Sequence, residues 1–309
     1  TGKSTFIKRF METMVIPNIE NVYKRERAKD ELPQSASGRT IMTAEPKFIP
    51  EEAAEVSTAE GGFCRVRLVD CVGYLVDGAL GSMEDDLPRM VSTPWNDSPM
   101  TMSQAAEIGT RKVIEEHSTI GLVITTDGTF SEIPRESYMP AEDRVIEELK
   151  QIGKPFLTLI NSSVPDGEAA LNVQRELREK HGIEALPVNC QTLSSNDVSN
   201  ILAGVLYEFP VQEIAVELPR FIGVLPAGHN VRESVYGDIR EAAIKVQKMR
   251  DMQQTVNFIE QNQYVSEARV ADMDLGVGKV RLKITLPSEV YYQIVAEKTG
   301  VEIKDDADL

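Results

Sequence analysis

The sequence predicts an α/β fold, a mostly parallel sheet flanked by helices, with a second, smaller α+β domain after it. Three observations predict this. Between residues 105 and 207, apolar strands alternate with helices in the rhythm of βαβ units. The chain opens on Gly2-Lys3-Ser4-Thr5, a run suited to the start of a helix. Near residue 215 the rhythm ends, and an irregular mixture of strand and helix follows.

Each element has its own warrant. Thr5 to Met14 is predicted as a helix because Phe6, Ile7, Phe10, Met11 and Met14 recur at helical spacing, with Pro17 just beyond the end. Residues 18–60 carry a charged run from Lys24 to Glu31 and then Pro33, Gly38, Pro46 and Pro50, and read as loop with a short strand near Ile41. Cys64 to Val69 alternates and stops at a turn, as a buried strand does. Residues 74–103 are rich in Gly, Pro, Asp and Ser, hold the one tryptophan, Trp95, and read as a long functional loop.

Helix Ala105–Glu116, strand Ile120–Thr125, helix Pro140–Gln151 and strand Pro155–Asn161 follow, then helix Gly167–Lys180 stopped by Gly182, strand Ala185–Asn189 and helix Asp197–Tyr207. Past the boundary the pattern predicts a strand over Leu218–Leu225, a long helical stretch from Val231 to Gln261, an alternating strand over Val280–Leu286 and a helix over Ser288–Lys298. The domains are therefore expected at 1–215 and 216–309. The first is expected to lack the strand and the glycine that precede a complete phosphate-binding motif, and the native chain to continue past the acidic tail.

Composition narrows the function classes. With 33 Lys+Arg against 49 Asp+Glu, the net charge of −16 disfavours nucleic acid and anionic membrane surfaces as partners. Cys64, Cys71 and Cys190, and His117, His181 and His229, lack metal-ligand spacing and point to a reducing compartment. No apolar run approaches a membrane span.

Gly2-Lys3-Ser4-Thr5 is the second half of a P-loop, G-x-x-x-x-G-K-[ST]. Phosphates favour a helix N-terminus, where backbone N–H groups and the dipole converge. Lys3 would reach the terminal phosphates and the Ser4 hydroxyl would bind Mg²⁺. Leu68-Val69-Asp70-Cys71-Val72-Gly73 is the matching second element: Asp70 would hold the Mg²⁺ shell and the Gly73 N–H would approach the γ-phosphate. Together these two elements specify a P-loop NTPase of GTPase-like layout. Thr43 or Thr40, lying between them, would supply the switch threonine that binds Mg²⁺.

The base-reading element departs from the GTPase pattern Asn-Lys-x-Asp. Asn161 is present, but Ser162 and Val164 stand where Lys and Asp belong. Val164 cannot accept from guanine N–H groups, so ATP is the expected nucleotide. Tyr74 stands where small GTPases place the glutamine that orients water, so hydrolysis should be slow. Arg39, Arg89 and Arg111 are each open as an arginine finger, and Glu142, Glu147 and Glu148 read as a solvated helix face. Two further readings stay open: a scaffold that binds nucleotide with little turnover, and a switch GTPase with a relaxed base site.

Longer strings carry a resemblance. Gly2 to Lys8, Asp30 to Ala36, Thr40 to Thr43, Glu45 to Phe48, Leu68 to Tyr74, Ala105 to Ile114, Glu116 to Gly121, Ile124 to Thr129 and Tyr207 to Val211 resemble the stage IV sporulation protein A family, over at least residues 1–211. The resemblance implies a morphogenetic ATPase of endospore-forming bacteria. Such a protein hydrolyses ATP with Mg²⁺ to assemble into a homopolymer, the basement layer of the spore coat, in the mother-cell cytoplasm at the outer forespore membrane. It implies as partners a small amphipathic membrane-anchoring peptide and other spore coat proteins. Lys3 and Asp70 match the family's nucleotide motifs and Thr43 the first of its two sensor threonines, while Ala44 departs from the second.

Overall fold

In the computed structural model of this chain, which describes residues 2–33, 46–57, 63–76, 83–84, 87–93, 96–130, 132–274, 277–301 and 308, the backbone turns at Gly2 into the first helix. The chain forms two compact units, 1–205 and 206–309.

In the first unit, α1 (Lys3–Phe10) buries Phe6, Ile7 and Phe10, the apolar stripe its spacing predicts. The helical run extends further than expected. It passes through a π turn at Met11–Val15 into α2 (Ile16–Asn18), which takes in Pro17. Pro17 lies at the second position of α2, directly after the π turn and two residues before the run ends at Ile19.

Two elements replace expected loop. α3 (Val22–Asp30) has only Ala28 buried and so shows no apolar period. The Asn21 side chain caps it, accepting the Lys24 N–H at 3.1 Å, and Lys29–Glu26 and Arg27–Glu31 pairs support its exposed face. β1 (Lys47–Ser57) contains Pro50 and two adjacent glutamates, which argue against a strand. It is tolerated because β1 pairs, among the described residues, only with β2 (Phe63–Asp70), antiparallel, and the register slips at a bulge between Ile49 and Ala54. β2 is the strand expected before the Asp70 turn, but Val66, Leu68 and Val69 are half-buried there, not buried. The strand expected near Ile41, and Trp95, lie outside the described residues.

The segment expected as a long loop holds two short antiparallel hairpins, β3 (Met83–Glu84) with β4 (Leu87–Pro88) and β5 (Met90–Thr93) with β6 (Asn96–Thr101). α4 (Met102–Lys112) then starts on a capping box between Thr101 and Gln104 and runs into a π turn at Val113–His117.

The alternating region follows as β7 (Gly121–Thr126), α5 (Met139–Ile152), β8 (Phe156–Asn161), α6 (Glu168–His181), β9 (Ala185–Val188) and α7 (Ser195–Tyr207). The strands form a parallel sheet in the order β7-β8-β9, with Thr126 opposite Asn161 and Asn161 opposite Val188. β8 is central and every residue of it is buried, which explains its unbroken apolar run. Val123, Ile146, Leu149, Phe156, Ile160 and Leu177 make the core between sheet and helices. The register brings the C-terminal ends of all three strands level, the edge where open α/β sheets bind ligands.

In the second unit β12 (Lys279–Thr285) lies between β10 (Glu213–Glu217), parallel to it, and β11 (Glu267–Asp274), antiparallel. The strand expected over Leu218–Leu225 is instead β10, ending at Glu217. Pro219 turns the chain into a short helix, α8 (Arg220–Val224), that buries Ile222. The long helical stretch is two helices, α9 (Asn230–Lys245) and α10 (Met252–Ile259), broken where Lys248 pairs with Pro210 and Met249 enters the core. β11 has no counterpart in the sequence reading; its acidic residues Glu267, Asp272 and Asp274 mask the alternation. α11 (Ser288–Thr299) closes the unit, packing Val290 and Ile294 against Ile222, Val231 and Val235. No helix among the described residues is long and apolar enough to cross a membrane.

Candidate active site

Gly2, Lys3, Ser4 and Thr5 form the entry to α1, and Asp70 is the last residue of β2. The two elements meet directly: Ser4 Oγ donates to Asp70 Oδ2 at 2.8 Å. Lys3 reaches the turn after β2, where a Cβ added to Gly73 would fall 3.1 Å from Lys3 Nζ. Gly73 has φ +77°, a conformation that favours glycine. Gly2 is held the same way, with φ +99° and a would-be Cβ 2.7 Å from Asn161 Nδ2. An ammonium, a hydroxyl and a carboxylate thus converge at the N-terminus of α1.

The turn after Asp70 is tied to α4 and α5. The Gly73 N–H donates to Thr110 Oγ1 at 3.1 Å. Burial pushes the Cys71 thiol up, against the opposing pull of the Lys3 charge. The Tyr74 hydroxyl donates to Glu148, and Arg144 lies over the Tyr74 ring at 5.4 Å. Arg144 grips Glu107 at 2.6 and 3.0 Å and reaches Glu148 at 3.2 Å. Burial, then the Glu148 bond, raise the Tyr74 phenol far above its ordinary value, so it stays a proton donor.

At the C-terminal ends of the parallel strands, Asn161 is buried and its polar groups serve the scaffold. Its Oδ1 accepts the Cys190 N–H at 3.0 Å and its carbonyl accepts from Thr126 Oγ1 at 2.9 Å. Ser162 is fully buried, and its Oγ accepts the Val164 N–H at 3.1 Å, while Val164 is 61 % exposed. Burial pushes the Cys190 thiol up to about 12.

Asp127, just past β7, was not singled out by sequence. Its Oδ1 takes both the N–H and the hydroxyl of Thr129, at 3.0 and 2.6 Å, while its Oδ2 is buried with no hydrogen-bond partner among the described residues. Only its place at a strand end could have flagged it.

Of the remaining expected residues, Thr43, Thr40, Ala44 and Arg39 lie outside the described residues. Arg111 is on the exposed face of α4, paired with Glu115 at 2.9 Å; Arg89 is half-buried beside β5. The solvated-face reading of α5 fails at two of three positions. Glu142 is buried in a bidentate pair with Arg135 at 2.8 and 2.7 Å, and Glu148 holds Tyr74; Glu147 alone is exposed. No group of three or more His, Cys, Asp or Glu side chains among the described residues is placed to hold a metal ion.

The family model for the stage IV sporulation protein A ATPase domain matches residues 1–210, and that for the middle domain of the same family matches residues 211–309. The chain belongs to the stage IV sporulation protein A family. It is 48 % identical over 304 residues to stage IV sporulation protein A of Bacillus anthracis, covering 98 % of this chain and 62 % of that one. Against the protein of that name from Bacillus subtilis (strain 168) the identity is 47 %, with the same coverage. Against that of Clostridioides difficile (strain 630) it is 41 % over 309 residues, 100 % of this chain and 63 % of the relative. The chain therefore spans a little under two thirds of these family members' length. No solved structure matches it.

Proposed function

We propose that the first unit is a P-loop, GTPase-like ATPase and that its slow, Mg²⁺-dependent hydrolysis drives self-assembly into the basement layer of the spore coat at the forespore surface. The observation that carries the enzymatic part is the direct Ser4–Asp70 bond with Lys3 beside Gly73, which joins the two phosphate motifs in one place. The family's ATPase domain supports the choice of nucleotide. Assembly, the coat, the membrane-anchoring peptide and the mother-cell location rest on the resemblance.

In this reading the N–H groups at Gly2 to Thr5 and the Lys3 ammonium bind the phosphates. Ser4 and Asp70, with Thr43, would hold Mg²⁺. A hydroxyl beside one carboxylate is the oxygen-only donor set that suits an ion completed by substrate phosphates and water. When bound, the ion neutralises developing charge on the phosphates. Lys3, Asp70 and Thr43 are the residues we assign to catalysis. Asn161 would contribute indirectly, by packing beside Gly2 and holding the Cys190 loop. Tyr74 is committed to α5, which favours low turnover and keeps a nucleotide-binding scaffold as the second reading.

Phosphate release by the full-length protein, with ATP and GTP side by side, tests the proposal. Lys3-dependent turnover preferring ATP is expected, with Lys3→Ala weakening nucleotide binding on the order of a hundredfold. Undiminished affinity in Lys3→Ala would sink the P-loop reading, and binding without turnover would leave the scaffold.

A further inference from the structure

We infer that Thr110 sets how strongly this site prefers a nucleoside triphosphate over the diphosphate; the inference rests on the phosphate-site reading above. Gly73 donates its N–H to Thr110 Oγ1 at 3.1 Å, and Thr110 is only 4 % exposed, so water does not compete for that acceptor. The next residue is drawn the same way, since Tyr74 is tied to Glu148 and lies under Arg144, which Glu107 anchors. Every one of these ties comes from α4 or α5.

On its other side Gly73 borders the Lys3 ammonium, 3.1 Å from where a Cβ would stand. A terminal phosphate oxygen held by Lys3 therefore enters the space beside Gly73. A well-aligned N–H serves one acceptor, because hydrogen bonds weaken steeply as they bend. The Gly73 N–H must leave Thr110 to meet that oxygen, whereas a diphosphate leaves the Thr110 bond in place. Thr110 thus works against the triphosphate and returns the turn to its starting position once the terminal phosphate is gone.

The test is equilibrium binding to the full-length protein, with Mg²⁺, of ADP and of the ATP analogue bridged by a β,γ-imido group. Thr110→Val keeps the shape and deletes the acceptor, Thr110→Ala deletes it with less bulk, and Thr110→Ser retains it. The ratio of triphosphate to diphosphate affinity should rise about three- to tenfold in the Val and Ala variants and stay at the wild-type value in Ser, the worth of one competing hydrogen bond. A merely structural role would lower both affinities together. A ratio unmoved or reduced in both variants, with binding still dependent on Lys3, overturns the assignment of Thr110 alone. Wild-type binding that does not depend on Lys3 overturns the phosphate-site reading and Thr110 with it.

Discussion

At one end of the site, Lys3, Ser4, Asp70 and Gly73 bring charged and polar groups to a common point at the start of α1, joined to each other and half-exposed. At the other end, Asn161 and Ser162 are buried and turn their polar groups on the backbone of neighbouring loops, while Val164 offers no hydrogen bond at all. The first end presents an ammonium, a hydroxyl and a carboxylate side by side. At the second, the bonds of Asn161 and Ser162 hold strand ends and loops together. The difference teaches that a residue at a motif position can have its side chain engaged by the scaffold. Asn161 packs close beside Gly2 and accepts the Cys190 N–H.

The comparison can be broken most severely where the two ends touch. Gly2→Ala must place a Cβ against the Asn161 amide while forcing alanine into a left-handed conformation. We expect a loss of about 3 kcal/mol of stability, from strain plus the disturbed Asn161 bond, read as a fall in thermal midpoint together with lost ATP binding. A stable Gly2→Ala protein with normal affinity would mean the two ends are not coupled.

Asn161→Ala sharpens the contrast. It should cost about 2 kcal/mol by stranding the Cys190 N–H, and leave the ratio of ATP to GTP affinity unchanged. A large change in that ratio would return Asn161 to base recognition. The smallest effect is expected from Val164→Asp, which adds a carboxylate at an exposed position. It should raise GTP affinity relative to ATP by less than about tenfold, because Ser162 still stands where lysine would be. A full switch to GTP would mean that residue 164 alone sets the base.

The parts that were legible in the sequence share a physical cause. Strands with continuous apolar character and helices with apolar stripes, such as β8 and α6, have one stable placement, so their order was readable. The meeting of Ser4 with Asp70 was readable because a phosphate-binding motif calls for those residue types at those spacings. α3, β1 and β11 were not, because a helix with one buried residue, an edge strand with a proline at a bulge and a strand with an acidic outer face carry little periodicity. Glu142 and Glu148 were misread as solvated since their partners, Arg135 and Tyr74, arrive from other segments. Thr110 and Asp127 gave no signal for the same reason: their part depends on which backbone groups the fold sets beside them.

The central claim is that Ser4 and Asp70 form one metal and phosphate site with Lys3. Its most direct test is equilibrium binding of the β,γ-imido ATP analogue to the full-length protein, with and without Mg²⁺, in wild type and Asp70→Ala. The account predicts that Mg²⁺ tightens binding to the wild type by about tenfold or more and has little effect on the variant, whose Mg²⁺-free affinity is close to normal. An equal Mg²⁺ effect in both proteins would contradict it.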